Sequence, residues 1–190
     1  MGPGRLYHPP PGRRARGADS WSTDCHKTLN VPYDNGLAIV RHRDAHLAAF
    51  GARAGYLVAG VDAEPFDTVP ELSRRARGFP VWAALRASGR QGVSDLVDRL
   101  HARAVQMAEG IGTIDGAEVV NDVVFTQVMA RFHDDTTTAE VGRRLLADGV
   151  AVVTPATWRG QMVQRISISN WSTTEDDVWR TVKASRAIVP

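Results

Sequence analysis

Lysine is almost missing from this chain: of 23 basic residues, only Lys27 and Lys183 are lysine, and the rest are arginine. A guanidinium stays protonated and cannot condense with a carbonyl group, so any side-chain amine chemistry falls on those two residues. Cysteine is represented by Cys25 alone, which excludes an internal disulfide framework and fits a reducing compartment. No run approaches the ~18 consecutive apolar residues of a membrane span, and the Pro- and Arg-rich N-terminus lacks the apolar core of a signal peptide. The expectation is a cytoplasmic protein with no membrane partner.

Acidic residues are absent from the first eighteen positions, where Arg5, Arg13, Arg14 and Arg16 stand among Pro3, Pro9, Pro10 and Pro11. The net charge is +2, so removing those four arginines leaves the rest of the chain at −2. Residues 1–18 therefore read as a disordered basic tail, with no folded basic face behind it to engage nucleic acid.

Apolar residues make up 43% of the 190 positions, enough for a real core. Gly36 to Val40 reads as a short buried strand, followed by a helix near Asp44 to Phe50. Gly51 to Pro70, punctuated by Gly55, Gly60 and Pro65, reads as a long loop, and loops of that length are often functional. Glu71 to Ser88 is expected to be helical with a break or bend at Pro80. Val93, Leu96, Val97, Leu100 and Ala104 place the core stripe of a second helix over Gly92 to Glu109.

The remainder alternates in type. Strands are expected at Glu118–Val120, Val123–Phe132, Val150–Thr154 and Met162–Ser169. A helix is expected over Thr138–Ala147, and a final helix is capped by Thr173 or Thr174 with Glu175, Asp176 and Asp177 in its first turn. The second half thus reads as an α+β domain.

Chemistry concentrates between Asp19 and Asp34. This segment is dense in polar and reactive side chains, including Ser22, Thr23, Asp24, Cys25, His26 and Lys27, and it stands just before a strand. A lysine that condenses with a cofactor aldehyde must be presented on a short rigid element beside groups that hold the cofactor, and this cluster offers hydroxyl and imidazole donors for a phosphate. A polar loop that happens to contain one lysine would look the same from composition alone. His42 and His46 have the i,i+4 spacing of a chelating pair but no third ligand in view, so no metal is expected. Cys25 reads as a bystander, and Lys183 as a surface residue of the last helix. Arg165, mid-strand among apolar residues, is a weak candidate for a substrate carboxylate.

Asp19 to Asp34 resembles the cofactor-lysine segment of the group II pyridoxal-phosphate-dependent amino-acid decarboxylases, which include aromatic amino-acid, histidine and glutamate decarboxylases. Tyr56-Leu57 is similar to the mobile-loop tyrosine of that family. Glu71 to Trp82 resembles the arginine-rich element that follows, and Arg165 to Trp171 with Thr173 to Asp177 resembles the C-terminal strand and last helix. The resemblance covers the chain from about Asp19 to its end.

It implies an α/β fold: the C-terminal part of a fold-type I pyridoxal-phosphate enzyme. Residues 19–91 would be a remnant of the cofactor domain and 92–190 a small α+β domain. It also implies pyridoxal 5'-phosphate held by Lys27, His26 and Asp24, and decarboxylation of an amino acid with Tyr56 as the acid that reprotonates the substrate carbon. A homodimer would be the working form. Arg74, Arg75 and Arg77 are read as structural ion pairs or solvated charge.

The resemblance departs at the N-terminus. The long upstream segment that in the family stacks on the cofactor ring, pairs with its nitrogen and cradles its phosphate has no counterpart before Asp19. Two further readings therefore stand beside decarboxylation: an inactive fragment that binds no cofactor, and a pyridoxal-phosphate enzyme of another reaction type, such as aldol cleavage or transamination.

Overall fold

Two side-chain caps set where helices begin in the computed structural model, which describes residues 17–51 and 64–189. Asp134 caps helix α3 (Asp135–Ala147) by accepting the Thr137 N–H, and Thr174 opens α4 (Glu175–Ile188) with a reciprocal capping box to Asp177. Both satisfy orphan N–H groups and place carboxylates at the positive helix end. The Thr174 cap is one of the two positions the sequence offered.

The described chain divides into two units, the first comprising residues up to His26 and Val31–Ala87, the second Lys27–Asn30 and Ser88 onward. Unit 1 contains an antiparallel hairpin of β1 (Ser20–Asp24) and β2 (Gly36–Val40), paired from Ser20–Val40 to Asp24–Gly36. It also contains helix α1 (Arg43–Phe50) and a single 3-10 turn at Pro65–Thr68. The sequence placed β2 correctly but expected it buried. Every residue of both strands is exposed, Ile39 at 61% and Trp21 at 51%. β1 was read as part of a polar reactive segment, and its Ser-Trp-Ser-Thr-Asp pattern becomes a strand by pairing with β2.

Residues Gly78–Ile111 form α2, and here the expectation is corrected. Residues 71–77 are not helical, and Pro80 sits in the first turn, where its missing N–H costs nothing. The break falls instead at Gly89, whose φ of 62° and ψ of −178° separate two helical stretches. A left-handed φ of this kind is accessible to glycine without a Cβ penalty.

Unit 2 is built on a four-stranded antiparallel sheet in the order β3 (Ala117–Val119), β4 (Gln127–Phe132), β6 (Gln161–Ser167), β5 (Thr154–Trp158). Alternation aims Val128, Ala130 and Phe132 of β4 inward, and the register sets Val128 opposite Ile166 and Ala130 opposite Gln164. These residues join Leu100, Ala104, Met107 and Ile111 of α2, Val141 and Leu145 of α3, and Val178 and Val182 of α4 in one core. Gly110 lets α2 and α4 approach, since a Cβ there would meet Val182 Cγ2 at 2.7 Å.

All four strands of this sheet shift from the sequence reading, two of them by only one or two residues and two by four. The expected strand over Val150–Thr154 lies instead at Thr154–Trp158, because residues 148–151 turn back onto the end of α3 through hydrogen bonds to Arg144, Leu145 and Leu146 carbonyls. The strand expected from Val123 begins at Gln127. Before it, Asn121 occupies the Met129 N–H with its side-chain oxygen and donates to the Gln127 carbonyl, forming a loop in which Val124 is 82% exposed.

Candidate active site

The segment that resembles a cofactor-lysine element lies between the end of β1 at Asp24 and the start of β2 at Gly36. Within unit 1, its two ends are drawn together by hydrogen bonds from His26 N–H to the Asn35 carbonyl (3.2 Å) and from Val31 N–H to the Cys25 carbonyl (3.3 Å). The His26 ring is held by the same partner. Its Nδ1 lies 2.8 Å from the Asn35 carbonyl oxygen and 3.1 Å from the Asn35 N–H. Tyr33 covers the imidazole with ring centroids 4.1 Å apart. The shorter contact is that of an Nδ1–H donating to the Asn35 carbonyl, which leaves Nε2 as the outward ring nitrogen, a donor to an anionic ligand once it carries a proton.

Asn35 is itself 4% exposed, and its side-chain amide donates to the Arg77 carbonyl at 2.7 Å. The Arg77 guanidinium grips the neighbouring Asp34 through both oxygens, Nε to Oδ1 at 3.0 Å and Nη2 to Oδ2 at 2.9 Å. Arg77 thus fixes the stretch that fixes His26, from both its main chain and its side chain. Arg74 pairs with Glu71 at 3.1 Å, so the arginine-rich element supplies ion pairs, as its sequence suggested. Asp34 and Arg77 remain partly open to water, and such a pair contributes geometry more than stability.

The Arg77 hydrogen bonds pull the Asp34 carboxyl from its ordinary 3.8 down to about 2. The sign follows from that depression: the stabilisation is complete above the unfolded carboxyl's range near 4 and fades as pH falls through about 2. A carboxyl-detected NMR titration is expected to place Asp34 near 2 in the wild type and to return it towards 3.8 in Arg77→Met. An unchanged midpoint in that variant would remove the clamp from the argument.

Lys27 belongs to unit 2, as part of a four-residue turn closed by the Asn30 N–H donating to the Lys27 carbonyl at 3.0 Å. Its side chain is exposed. Asn30 has φ of 53°, and its side chain reaches the carbonyls of Lys27, Thr28 and Ser169 as well as the N–H of Trp171. The turn is therefore held by its own hydrogen bonds, as a condensing lysine requires, and Lys27 is an exposed residue on it.

The remaining expectations fall out unevenly. Asp24 is the exposed last residue of β1, adjacent in sequence to the buried Cys25, and Ser22 and Thr23 are exposed within the same strand. Burial pushes the Cys25 thiol up, and the Asp24 charge adds to this, which disfavours a thiolate nucleophile. Tyr56 lies outside the described residues. Arg165 is exposed on β6, not the partly buried residue its strand position suggested. His42 stands just before α1 without a side-chain capping bond and lies 3.4 Å from Asp19, while His46 contacts Phe50. Among the described residues, no three acidic, histidine or cysteine groups are placed to hold a metal, and no helix is long and apolar enough to cross a membrane.

Asn30 and Asn35 were not singled out from the sequence. An asparagine three positions after a lysine, in a segment with Pro32 and Asp34, is a readable left-handed turn signal. Its distant partners are not readable.

The chain is similar to known proteins in sequence and in fold. Residues 7–133 match the pyridoxal-dependent decarboxylase conserved domain. The chain is 24% identical over 185 residues to an aromatic-L-amino-acid decarboxylase of Bacillus atrophaeus, covering 90% of this chain and 38% of that protein. It is 26% identical over 181 residues to an L-2,4-diaminobutyrate decarboxylase of Rhizobium meliloti (strain 1021), covering 88% and 36%. Among solved structures, Oryza sativa TDC with PLP and tryptamine superimposes with a TM-score of 0.84 at 22% identity, over 94% of this chain and 41% of that one. Mouse CSAD in apo form superimposes with a TM-score of 0.79 at 17% identity, over 90% and 40%.

This chain thus spans about two fifths of the relatives it matches. Its fold is that of the corresponding part of a fold-type I α/β enzyme. By its sequence, the chain belongs to the pyridoxal-dependent decarboxylase family.

Proposed function

We propose that this chain carries the cofactor-lysine portion of a pyridoxal-phosphate-dependent carboxy-lyase acting on an amino acid, with Lys27 as the residue that binds the cofactor covalently. The observation that carries this reading is an accessible lysine on a turn pinned by its own backbone and by Asn30, next in sequence to a histidine held by Asn35. The side chains fit pyridoxal 5'-phosphate: a primary amine for its aldehyde, and an imidazole that, when protonated, donates to an anionic oxygen.

When bound, that group supplies a conjugated ring able to take up the electron pair left as carbon dioxide departs. The chain's own residues have more limited tasks. Lys27 would hold that group through its side-chain amine, and His26 would orient its phosphate end. Asp24 is assigned as a further polar group for the cofactor. Tyr56 is assigned the proton delivery to the substrate carbon. The working form is assigned as a homodimer in the cytoplasm.

One observation favours a second reading, in which the chain alone binds no cofactor. The β1–β2 hairpin exposes Trp21, Leu37, Ile39 and Val40 together, more apolar surface than an isolated two-stranded ribbon sustains comfortably.

Mixing the purified chain with pyridoxal phosphate, reducing with borohydride and locating the label by peptide mass separates the two. Label concentrated on Lys27, with a visible absorption band before reduction, is the expected outcome. Label spread evenly over Lys27, Lys183 and the amino terminus would favour the second reading. Product analysis with amino-acid substrates then distinguishes loss of carbon dioxide from aldol cleavage or amino transfer.

A further inference from the structure

We propose that Asn30 is the positioning residue of Lys27, fixing the lysine turn to the segment that follows β6 and so setting where the amine is presented. The inference rests on the assignment of Lys27 as the cofactor-binding residue. Its warrant is one side chain with four hydrogen bonds. Asn30 Nδ2 lies 2.5 Å from the Lys27 carbonyl, 3.1 Å from the Thr28 carbonyl and 2.6 Å from the Ser169 carbonyl, while Oδ1 accepts the Trp171 N–H at 3.1 Å. The donors and the acceptor of one amide are therefore all used. The orientation is self-consistent, because exchanging oxygen and nitrogen would set an oxygen against three carbonyls.

Few residues can stand there. The φ of 53° is a left-handed conformation that asparagine tolerates and most side chains resist. Glycine would keep the backbone and lose the amide. Aspartate would still accept from Trp171 but would face three carbonyl oxygens with no donor. Glutamine has the amide but an arm one methylene longer, and a poorer fit to a left-handed backbone. Asn30 touches the turn's main chain, so it acts on the amine through the position of the Lys27 Cα. Displacing a condensing group by about an ångström is enough to cost orders of magnitude in effective concentration.

The chain contains its own reference for testing this, because Lys183 on α4 is the other lysine and is exposed. Pyridoxal phosphate labelling followed by borohydride is read as the ratio of Lys27 to Lys183 label in the wild type, Asn30→Gly and Asn30→Ala. Thermal unfolding and amide hydrogen exchange of peptides covering 27–31 and 167–172 are recorded alongside. The expected result is a roughly tenfold fall in the ratio in both variants, the scale of about one net hydrogen bond. Exchange should rise together in the two peptides, with Lys183 labelling unchanged.

Asn30→Gly keeps the left-handed backbone, so its loss of ratio would report the amide itself. A wild-type preference for Lys27 that survives in Asn30→Gly overturns the proposal, as does unfolding of both variants, which would make Asn30 a purely structural residue. If the wild type shows no preference for Lys27, the cofactor assignment fails. The anchor is then judged by exchange alone: a coupled rise supports it, and unchanged exchange overturns it.

Discussion

Lys27→Arg is expected to abolish both the visible band and the borohydride-trapped label on the 19–34 segment, while the low labelling of Lys183 continues. The effect should be complete, not graded. Arginine preserves charge and much of the side chain's length, so a merely electrostatic role for position 27 would survive the exchange. A condensing role would not, because the guanidinium does not surrender the proton that a nucleophilic amine must lose. Lys27→Ala should behave identically. Equality of the two variants separates covalent chemistry from attraction of an anionic cofactor, which would leave Lys27→Arg binding nearly as well as the wild type. Peptide mass after reduction reads the outcome without any need for turnover.

Phe132→Ala should destabilise unit 2 by about 3–5 kcal/mol, the range for removing a fully buried aromatic ring. Phe132 is 1% exposed at the end of β4. Its main chain is held independently of its ring: the Phe132 N–H donates to Thr138 Oγ1 at 2.9 Å, and the same hydroxyl donates to the Phe132 carbonyl at 3.1 Å. The backbone cannot sink into the space the ring vacates, so the loss should fall towards the upper end. Domains of this kind have about 5–15 kcal/mol in all, and the variant would be left marginal. Urea unfolding with an unchanged slope and a lowered midpoint would confirm a loss of packing; a changed slope would point to a different unfolded state.

How much of this was legible depended on distance along the chain. Helix α3, helix α4 and its Thr174 cap, and strand β2 are written in local signals, namely periodicity, cap chemistry and an apolar run. The kink was misplaced because Pro80 is a stronger punctuator than Gly89 in general, yet proline in a first turn is harmless and glycine with a left-handed φ is decisive. β2 was legible as a strand but not as an exposed one, since five apolar residues carry no information about what lies against them. At the site, Lys27 and His26 stood out through composition and resemblance. Asn30 did not, because what makes it important is its bonding to Ser169 and Trp171, 139 and 141 residues away. Arg77 was read correctly as an ion-pairing residue, but its partner Asp34 and its carbonyl's bond to Asn35 required the fold.

The length of that separation has a consequence for the order in which the protein is made. Synthesis at about 5–20 residues per second places Lys27 in the emerging chain on the order of ten seconds before Ser169 and Trp171 exist. Closing so long a loop is also entropically late in folding, after the local pairs of β4, β5 and β6 have formed. The Lys27–Asn30 turn therefore lacks its bonds to Ser169 and Trp171 until those residues have been made, and is seated only after β6 is complete. Ribosome-bound chains stalled before residue 169 would display a lysine that has not yet acquired its fixed place.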